Sequence, residues 1–198
     1  MGLLESEGLE AVSLRAVARA AGVSHAAPYH HFADKAALVE ALAARGFDQL
    51  SEQMRQAMEQ QRAPLDRFRA TGLAYGRFAQ QHPALLRLMI RSELRDGASV
   101  ADAARACLDV VADAVRSAQA AGQMVAGDPV RLARVAWATV HGAVLLRLDG
   151  LIDLAGVAGD EDPIDEATEV LALGFVPRAD GPVQVFEPPR TGEAGRGA

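Results

Sequence analysis

Apolar residues recur at helical spacing through most of this chain, and this pattern restricts it to a fold built from helices. Between residues 35 and 62, Leu38, Leu42, Gly46 and Leu50 stand four residues apart, and two methionines continue the series. That spacing places them on one face of an α-helix. No segment alternates apolar and polar residues long enough to predict a strand. The sequence therefore predicts an all-α protein.

The ends of the predicted helices are marked by Ser, Asp, Pro and Gly residues. Ser and Asp side chains accept a hydrogen bond from a free amide at a helix start, and Pro fits the first turn. Gly22 and Gly122 are predicted to end helices, because glycine adopts the left-handed conformation readily. The predicted caps are Ser13, Ser24, Asp34, Ser99 and Asp128. The predicted helices cover residues 14–21, 25–31, 35–62, 64–81, 83–95, 100–121, 129–149 and 165–175.

Composition indicates a globular protein without an internal disulfide framework. The chain has 198 residues, of which 50% are hydrophobic and 23% charged, as in ordinary folded domains. It contains one cysteine, Cys107, which fits a reducing compartment. Acidic residues outnumber basic ones by 26 to 20, so a globally basic nucleic-acid-binding protein is excluded, but a local basic face is not.

Neither a membrane span nor a targeting segment is predicted. The longest uncharged stretch near the middle of the chain covers residues 135–146, whereas a bilayer span needs about 20 residues. The start of the chain carries Glu5 and Glu7 and lacks the basic and apolar regions of a signal peptide. We therefore expect a cytoplasmic protein with no membrane partner.

Residues 14–31 contain two short predicted helices with Gly22 at the turn between them, which is a helix-turn-helix arrangement. Ala18 is small enough for a close crossing, and Val23 is predicted to fill the core between the helices. In such a unit the second helix enters the major groove of DNA with its N-terminal residues at the base edges. The candidate base contacts are Ser24, His25, Ala26 and Ala27.

Polar residues around this unit are candidates for phosphate contacts. Ser13 and Arg15 lie at the start of the first helix, where the helix dipole favours an anion. Tyr29, His30 and Lys35 offer hydroxyl, imidazole and ammonium donors, which position a protein on DNA without reading its sequence. A plain helical hairpin with solvated histidines is the alternative interpretation.

A metal site at the two adjacent histidines is not expected. The side chains of neighbouring residues in a helix point in different directions, and no ligand spacing supports such a site.

Motifs in both halves of the chain carry a family resemblance. GLEAVSLRAVARAAGVS at residues 8–24 and PYHHFADKAAL at 28–38 resemble the DNA-binding domain of TetR-type (tetracycline-repressor-like) transcriptional regulators. YGRFAQQHP at 75–83 and WATVHG at 137–142 resemble the family's effector-binding C-terminal domain of the WHG subtype. The resemblance covers roughly residues 3–175. It implies an all-α homodimer, usually a repressor, that a small molecule releases from double-stranded operator DNA. No cofactor is expected.

The resemblance divides the chain into parts. It implies a DNA-binding domain at residues 1–50 and an effector-binding and dimerisation domain at 51–176. Residues 177–198 are rich in Gly and Pro and are expected to form a disordered tail. One feature departs from the family pattern, in which a full first helix precedes the equivalent of Gly8. Here seven residues precede Gly8, and they are acidic.

This departure predicts that the apolar faces of the helix-turn-helix, including Val17, Val23 and Phe32, are partly uncovered. Two hypotheses follow from it. In the first, the true start codon lies upstream and the chain is clipped. In the second, the chain binds DNA poorly and functions as a helical ligand-binding and dimerisation protein.

The middle helices contain the candidate effector pocket. Small-molecule pockets are mainly apolar with few polar groups, so an apolar or aromatic effector is expected. Each candidate residue has an alternative role in the plain core. The resemblance places the helices near residues 135–146 and 165–175 at the dimer interface. Gly142 would permit a close approach of two helices there. The long helix that begins at Lys35 is expected to link the pocket to the DNA-binding domain. The candidates are Phe78, Leu85, Leu86, Met89, Trp137 and His141.

No catalytic site is predicted. Cys107 lies on an Ala-rich helical stripe without a base nearby in the sequence. No glycine-rich phosphate loop follows a strand, and no carboxylate or histidine spacing suggests a metal site. The sequence therefore predicts a protein that is not an enzyme.

Overall fold

The computed structural model describes residues 1–91, 97–154 and 162–177. Its regular structure within these ranges is helical, which confirms the all-α prediction. Two segments are 3-10 helices, at Leu9–Ala11 and Ala27–His30. The α-helices are α1 (Gly2–Glu7), α2 (Leu14–Ala21), α3 (Lys35–Glu59), α4 (Pro64–Gln81), α5 (Pro83–Met89), α6 (Ala98–Ala120), α7 (Pro129–Leu148), α8 (Leu151–Leu154) and α9 (Pro163–Gly174).

Helix α2 has the boundaries that the sequence predicts, and local hydrogen bonds stabilise both of its ends. The Ser13 hydroxyl oxygen accepts a bond from the Ala16 amide at 3.2 Å. At the other end Gly22 takes the left-handed conformation, with φ 67° and ψ 26°. The Val23 amide donates to the Ala18 carbonyl at 3.0 Å. This Schellman arrangement satisfies the last carbonyls of the helix and turns the chain toward the next segment.

The second segment of the helix-turn-helix is shorter and tighter than the predicted α-helix at 25–31, so that prediction was wrong. The amides of Ala27 and Tyr29 donate to carbonyls three residues back, at 3.0 and 3.1 Å. Pro28 explains the change, because it has no amide to donate and disfavours a helical residue before it. Ser24 consequently caps no helix, since no side chain bonds to the free amides at the start of the 3-10 helix.

Helix α3 confirms the long predicted helix and turns its apolar stripe inward. The Asp34 carboxylate caps it by accepting a bond from the Ala37 amide at 2.8 Å. Leu38, Leu50 and Met54 on the stripe are each less than 5% exposed. The helix ends slightly earlier than predicted, and it packs against α4, α5 and α6. It is therefore the element that joins the N-terminal part of the chain to the C-terminal part.

Helices α3 and α5 lie in close contact at Gly46. A Cβ atom built there would lie 2.6 Å from the Met89 sulfur and 3.2 Å from a methyl carbon of Leu85. The absence of a side chain at this position lets α5 lie directly on the long helix. Leu85 and Met89 are buried at this contact.

The start of α6 and the end of α5 differ from the predictions. Helix α5 ends at Met89 rather than near residue 95, and residues 92–96 lie outside the described residues. Ser99 does not cap α6, because the residue before the helix is Gly97. The Ser99 hydroxyl donates instead to the Glu40 carboxylate of α3 at 2.7 Å. A long-range partner thus replaces the local capping bond that the sequence suggested.

Helix α9 begins earlier than predicted because Asp162 supplies its cap. The Asp162 carboxylate accepts a bond from the Ile164 amide at 2.9 Å. The tail predicted to be disordered falls, from residue 178 onward, outside the described residues. In the part of the chain that the structure describes, no helix combines the length and apolar character that crossing a membrane requires.

Apolar side chains of the helix-turn-helix are less completely buried than those of the C-terminal half. Phe78 in α4 is fully buried, whereas Val23, predicted to fill the small core of the helix-turn-helix, is 48% exposed. That prediction was wrong, because a single 3-10 turn offers less apolar wall than the expected helix. Val17 and Phe32 are half-buried at the edge of the core. The expectation that this apolar face is partly uncovered is confirmed.

Helix α1 packs against α5 and is hydrogen-bonded to it. Leu4 is 2% exposed. The Glu5 carboxylate accepts bonds from the backbone amides of Ala84 at 3.1 Å and Leu85 at 2.9 Å. Helix α5 has no side-chain cap of its own, so Glu5 satisfies amides that its first turn leaves free. The sequence analysis did not predict this helix or its contact.

We expect Glu5→Ala to lower the free energy of unfolding by about 1–3 kcal/mol, because the two α5 amides lose their acceptor. Urea unfolding followed by circular dichroism measures the change. Glu7→Ala is the matched control, because Glu7 is exposed on the same helix. Equal stability of the two variants would contradict the role of Glu5.

Candidate DNA interface and ligand cavity

The residues predicted to contact DNA lie at the surface of the N-terminal part. Ser13 and Ala27 are partly buried, and the others are exposed. Tyr29 is 53% exposed, although much of its side chain is apolar. The predicted base and phosphate contacts are therefore accessible, and DNA contact at each position stays a prediction. The exposed candidates are Arg15, Ser24, His25, Ala26, Tyr29, His30 and Lys35.

This surface is locally basic in a chain whose net charge is −6. Between residues 13 and 35, Arg15, Arg19 and Lys35 stand against a single acid, Asp34, and three histidines add further donors. The Asp34 carboxylate is engaged in capping α3. Three bases against one acid give this segment a formal net charge of +2, and such a local excess attracts the phosphate backbone of a nucleic acid.

Four of the predicted effector residues are packed in the core. Phe78, Leu85 and Leu86 are fully buried, and Met89 is 4% exposed. Leu85 and Met89 fill the contact between α5 and α3. None of the four is among the residues that line the cavity described next. Their part in ligand binding stays a prediction.

A small apolar cavity lies among α3, α4, α6, α7 and α9. Its volume is about 30 Å³, which is room for about one water molecule. The Thr71 and Thr168 hydroxyls are already donated to the carbonyls of Phe68 at 2.7 Å and Ile164 at 2.8 Å. The wall is therefore almost entirely apolar. It is lined by Met54, Phe68, Thr71, Gly72, Tyr75, Val111, Ala136, Trp137, Val140, Thr168 and Leu171.

Tyr75 and Trp137 line this cavity and form an aromatic cluster with His141, which is not itself a lining residue. The Tyr75 hydroxyl lies 2.6 Å from His141 Nδ1. The Trp137 and His141 rings stack, with centroids 5.4 Å apart and planes inclined by 24°. Burial raises the pKa of the Tyr75 phenol and lowers the pKa of the His141 imidazole. Both groups are therefore uncharged near pH 7, and the tautomer of His141 decides which of the two donates in this hydrogen bond.

Sequence analysis identified two members of this cluster and missed the third. Trp137 and His141 are predicted effector residues, whereas Tyr75 is not. Tyr75 does stand at the start of the YGRFAQQHP motif, which was a usable signal. Its separation from His141 by 66 residues hides the hydrogen bond from any local pattern. Only the packing of α4 against α7 brings the two side chains together.

Helices α7 and α9 leave large apolar side chains on the surface. Val135 and Leu146 on α7 are 46% and 47% exposed, and Val170 and Leu173 on α9 are 64% and 59% exposed. A Cβ atom built at Gly142 would meet nothing within 4 Å, so no close packing in the described part of the chain uses this glycine. An apolar surface of this kind is typical of a protein–protein contact.

Cys107 and the histidines offer little for catalysis or metal binding in the described part of the chain. Burial raises the pKa of the Cys107 thiol. The thiol is therefore a poor nucleophile, because the thiolate is the reactive form. Among the residues that the structure describes, no three His, Cys, Asp or Glu side chains are grouped so that they could hold a metal ion.

Comparison with protein families gives two matches along the chain. Residues 1–42 match the bacterial regulatory proteins of the tetR family. Residues 68–172 match the tetracyclin repressor-like C-terminal domain. The WHG subtype that the motifs suggest stays a prediction. Comparison with curated proteins gives no match.

Solved structures resemble this chain over most of its length. A protein of unknown function from Rhodococcus sp. RHA1 is 38% identical, with a TM-score of 0.77 over 89% of this chain and 91% of that one. Regulatory protein TetR from Rhodobacter sphaeroides is 25% identical, with a TM-score of 0.65 over 88% and 94%. SmeT, the repressor of the Stenotrophomonas maltophilia multidrug efflux pump SmeDEF, is 24% identical, with a TM-score of 0.61 over 94% and 92%, and shares the fold.

The stacking of Trp137 on His141 predicts a pH-dependent fluorescence signal. A protonated imidazole quenches indole emission, and burial holds the pKa of His141 below its ordinary value of 6.5. We expect emission from Trp137, the one tryptophan of the chain, to fall as the pH decreases through a midpoint below that value. His141→Gln should abolish the transition and His31→Gln should preserve it, with circular dichroism checking that the fold is retained. A transition that survives in His141→Gln would contradict the assignment.

Proposed function

Because this chain belongs to the TetR family of bacterial regulatory proteins, we propose that it is a homodimeric repressor that a small molecule releases from operator DNA. The observation that carries the proposal is the arrangement of an accessible, basic helix-turn-helix and an apolar cavity at opposite ends of α3. Such a protein is a transcription factor rather than an enzyme. Since operator DNA is its target, we infer that it works in the cytoplasm.

The DNA-binding role is supported by the exposed surface of the helix-turn-helix. Ser24, His25 and Ala26 precede the 3-10 helix and are free of capping bonds that would occupy their side chains. They are the candidates for reading base edges in the major groove. Arg15 and Lys35 stand on either side in the sequence and are the candidates for phosphate contacts, which set the register on the duplex. Bound in this way at a promoter, the protein would block transcription.

Dimerisation is supported by the apolar surface of α7 and α9. Val170 and Leu173 expose more than half of their side chains on adjacent turns of α9. In an isologous dimer the same patch of each copy covers the other. The two helix-turn-helix units would then be held at a constant separation, about 34–36 Å for successive major grooves.

Release by an effector is supported by the way in which α3 connects the cavity to the DNA-binding unit. Lys35 begins the helix and Met54 lines the cavity, about 30 Å further along at the rise of an α-helix. The Glu5 and Glu40 carboxylates provide two further links, to the starts of α5 and α6. An apolar or aromatic effector that favours one spacing of the units would weaken DNA binding, typically through a coupling of about 1–3 kcal/mol.

A second function is favoured by one observation. Val23 is 48% exposed beside the turn of the helix-turn-helix, so the apolar core of this unit is incompletely covered. The chain would then be a helical ligand-binding and dimerisation protein whose binding to DNA is impaired. Affinity for promoter DNA distinguishes the two functions.

We expect the chain to bind a fluorescent duplex from its own promoter in an anisotropy titration. A dimer that contacts about 6–10 phosphates should lose about 10³–10⁵ in affinity between roughly 50 and 200 mM salt. Arg15→Ala should weaken binding and flatten this salt dependence. Arg105→Ala is the control, because Arg105 is exposed on α6 and paired with Asp102. Binding that does not differ from that of a shuffled duplex would favour the second function.

Sedimentation equilibrium tests the dimer. We expect Val170→Glu to convert the protein to a monomer, because a carboxylate at the centre of an apolar interface has no partner. Ala106→Glu, an exposed site on α6, should leave the dimer intact. A dimer that persists in Val170→Glu would place the interface elsewhere.

A further inference from the structure

The outer faces of α7 and α9 lie side by side at the surface, and the two helices run in opposite directions. Both helices pack on α4 and on each other. At one end the Arg147 guanidinium of α7 pairs with the Asp162 carboxylate, which caps α9, at 3.3 Å. At the other end the Val125 amide, shortly before α7, donates to the Phe175 carbonyl, just after α9, at 2.7 Å. The end of each helix is therefore next to the start of the other, so the pair is antiparallel.

The middle of this surface is apolar and lies at the level of Ala138 and Val170. Both residues are exposed. Ala138 stands nine residues before Arg147, and Val170 stands eight residues after Asp162. At the rise of an α-helix, about 1.5 Å per residue, the two are therefore at nearly the same level. The exposed valine and leucine side chains of both helices surround this level.

Charged side chains stand at opposite ends of the apolar middle. Arg134 precedes Ala138 by four residues on α7, and Arg131 lies one turn further out. Glu166 precedes Val170 by four residues on α9. All three charged residues are exposed. Because the helices are antiparallel, Arg134 and Glu166 lie about 6 Å from the middle on opposite sides of it, so the surface has a basic end and an acidic end.

These three charged side chains are accessible to a partner. In the part of the chain that the structure describes, Arg131, Arg134 and Glu166 form neither an ion pair nor a side-chain hydrogen bond. Glu169, one turn further along α9, is already paired with Arg69 at 2.7 Å. A partner can therefore pair with arginines at one end of the surface and with a glutamate at the other.

Arg134 lies on the side of α7 that faces α9. Trp137 and His141 follow it by three and seven residues, so the three side chains share one side of the helix. Trp137 lines the cavity together with Leu171 of α9, which shows that this side is turned toward α9. The Arg134 guanidinium is thus on the inner part of the two-helix surface, where a partner's helix α9 can reach it.

We propose that a second copy of this chain docks on this surface end for end, so that Arg134 of each copy pairs with the partner's Glu166 at two symmetric sites. A two-fold axis that lies between the copies and across their helices gives this arrangement, and it places the apolar middle of one surface on that of the other. Arg131 adds positive charge at each site. This inference rests on the dimer of the proposed function and adds the residues that determine its orientation.

The charges disfavour the other symmetric arrangement of the same surfaces. A two-fold axis along the helices would place the basic end of one copy on the basic end of the other. Like charges that face each other across an interface suppress a wrong pairing, and opposite charges select the right one. The orientation of the dimer in turn determines how the two helix-turn-helix units are placed, because α3, α7 and α9 all pack on α4.

Reciprocal charge reversal in the full chain tests the pairing by sedimentation equilibrium. Arg134→Glu opposes two carboxylates at both sites, and Glu166→Arg opposes two guanidinium groups. We expect each single variant to raise the dimer dissociation constant by about tenfold, since an exposed ion pair is weak but symmetry counts each contact twice. The variant that combines both substitutions restores opposite charges and should dimerise as the unmodified chain does. Arg105→Glu, at an exposed site on α6, is the control and should leave the dissociation constant unchanged.

A mixture of the two single variants gives an independent readout. A heterodimer of Arg134→Glu with Glu166→Arg has opposite charges at both sites, whereas each homodimer has like charges at both. We expect heterodimers to exceed the statistical half of all dimers when native mass spectrometry counts them. Circular dichroism checks that every variant keeps the fold, as expected for exposed positions.

The proposal is overturned if either reversal leaves the dimer as tight as before, if the combined variant is no tighter than the single ones, or if heterodimers stay at the statistical half. Val170→Glu separates this failure from failure of the proposed dimer. A dimer that Val170→Glu dissociates and that the reversals leave unchanged would refute the charge pairing and keep the interface. A dimer that Val170→Glu leaves intact would refute the interface and the pairing with it.

Discussion

Burial of a single stripe along α3 is the constraint on which the rest of the molecule depends. The stripe packs against α4, α5 and α6. Helix α3 therefore determines where the C-terminal helices lie relative to the N-terminal part. At Gly46 the contact with α5 is so close that any side chain would meet Met89. Because α3 runs without a break from Lys35 past Met54, which lines the cavity, it is the packed connection between the helix-turn-helix and the cavity.

Two carboxylates from the N-terminal part reinforce this connection. Glu5 satisfies amides at the start of α5, and Glu40 accepts from Ser99 at the start of α6. Neither helix has a side-chain cap of its own. The N-terminal part therefore contributes to the stability of α5 and of α6, of which α6 lines the cavity, and it is linked to both helices by hydrogen bonds as well as by packing.

The cavity and the helix-turn-helix differ in how far the sequence could predict them. The caps of Ser13 and Asp34 were predictable because each bonds an amide three residues away. The bond from Tyr75 to His141 crosses 66 residues, and no local pattern encodes it. The second segment of the helix-turn-helix was misjudged because Pro28 favours tight turns that a periodicity argument overlooks. Val23 is exposed for the same reason.

The sequence by itself determined the all-helical architecture, the position of most helix ends and the local basic charge of the helix-turn-helix, because these depend on spacing and on contacts within a few residues. The motifs also identified the family. The tertiary structure decided which predicted effector residues face a cavity and which fill the core, and it revealed Tyr75 and Glu5. These outcomes depend on how whole helices pack, since a side chain's partner across the core is set by the crossing of two helices and not by its sequence neighbours.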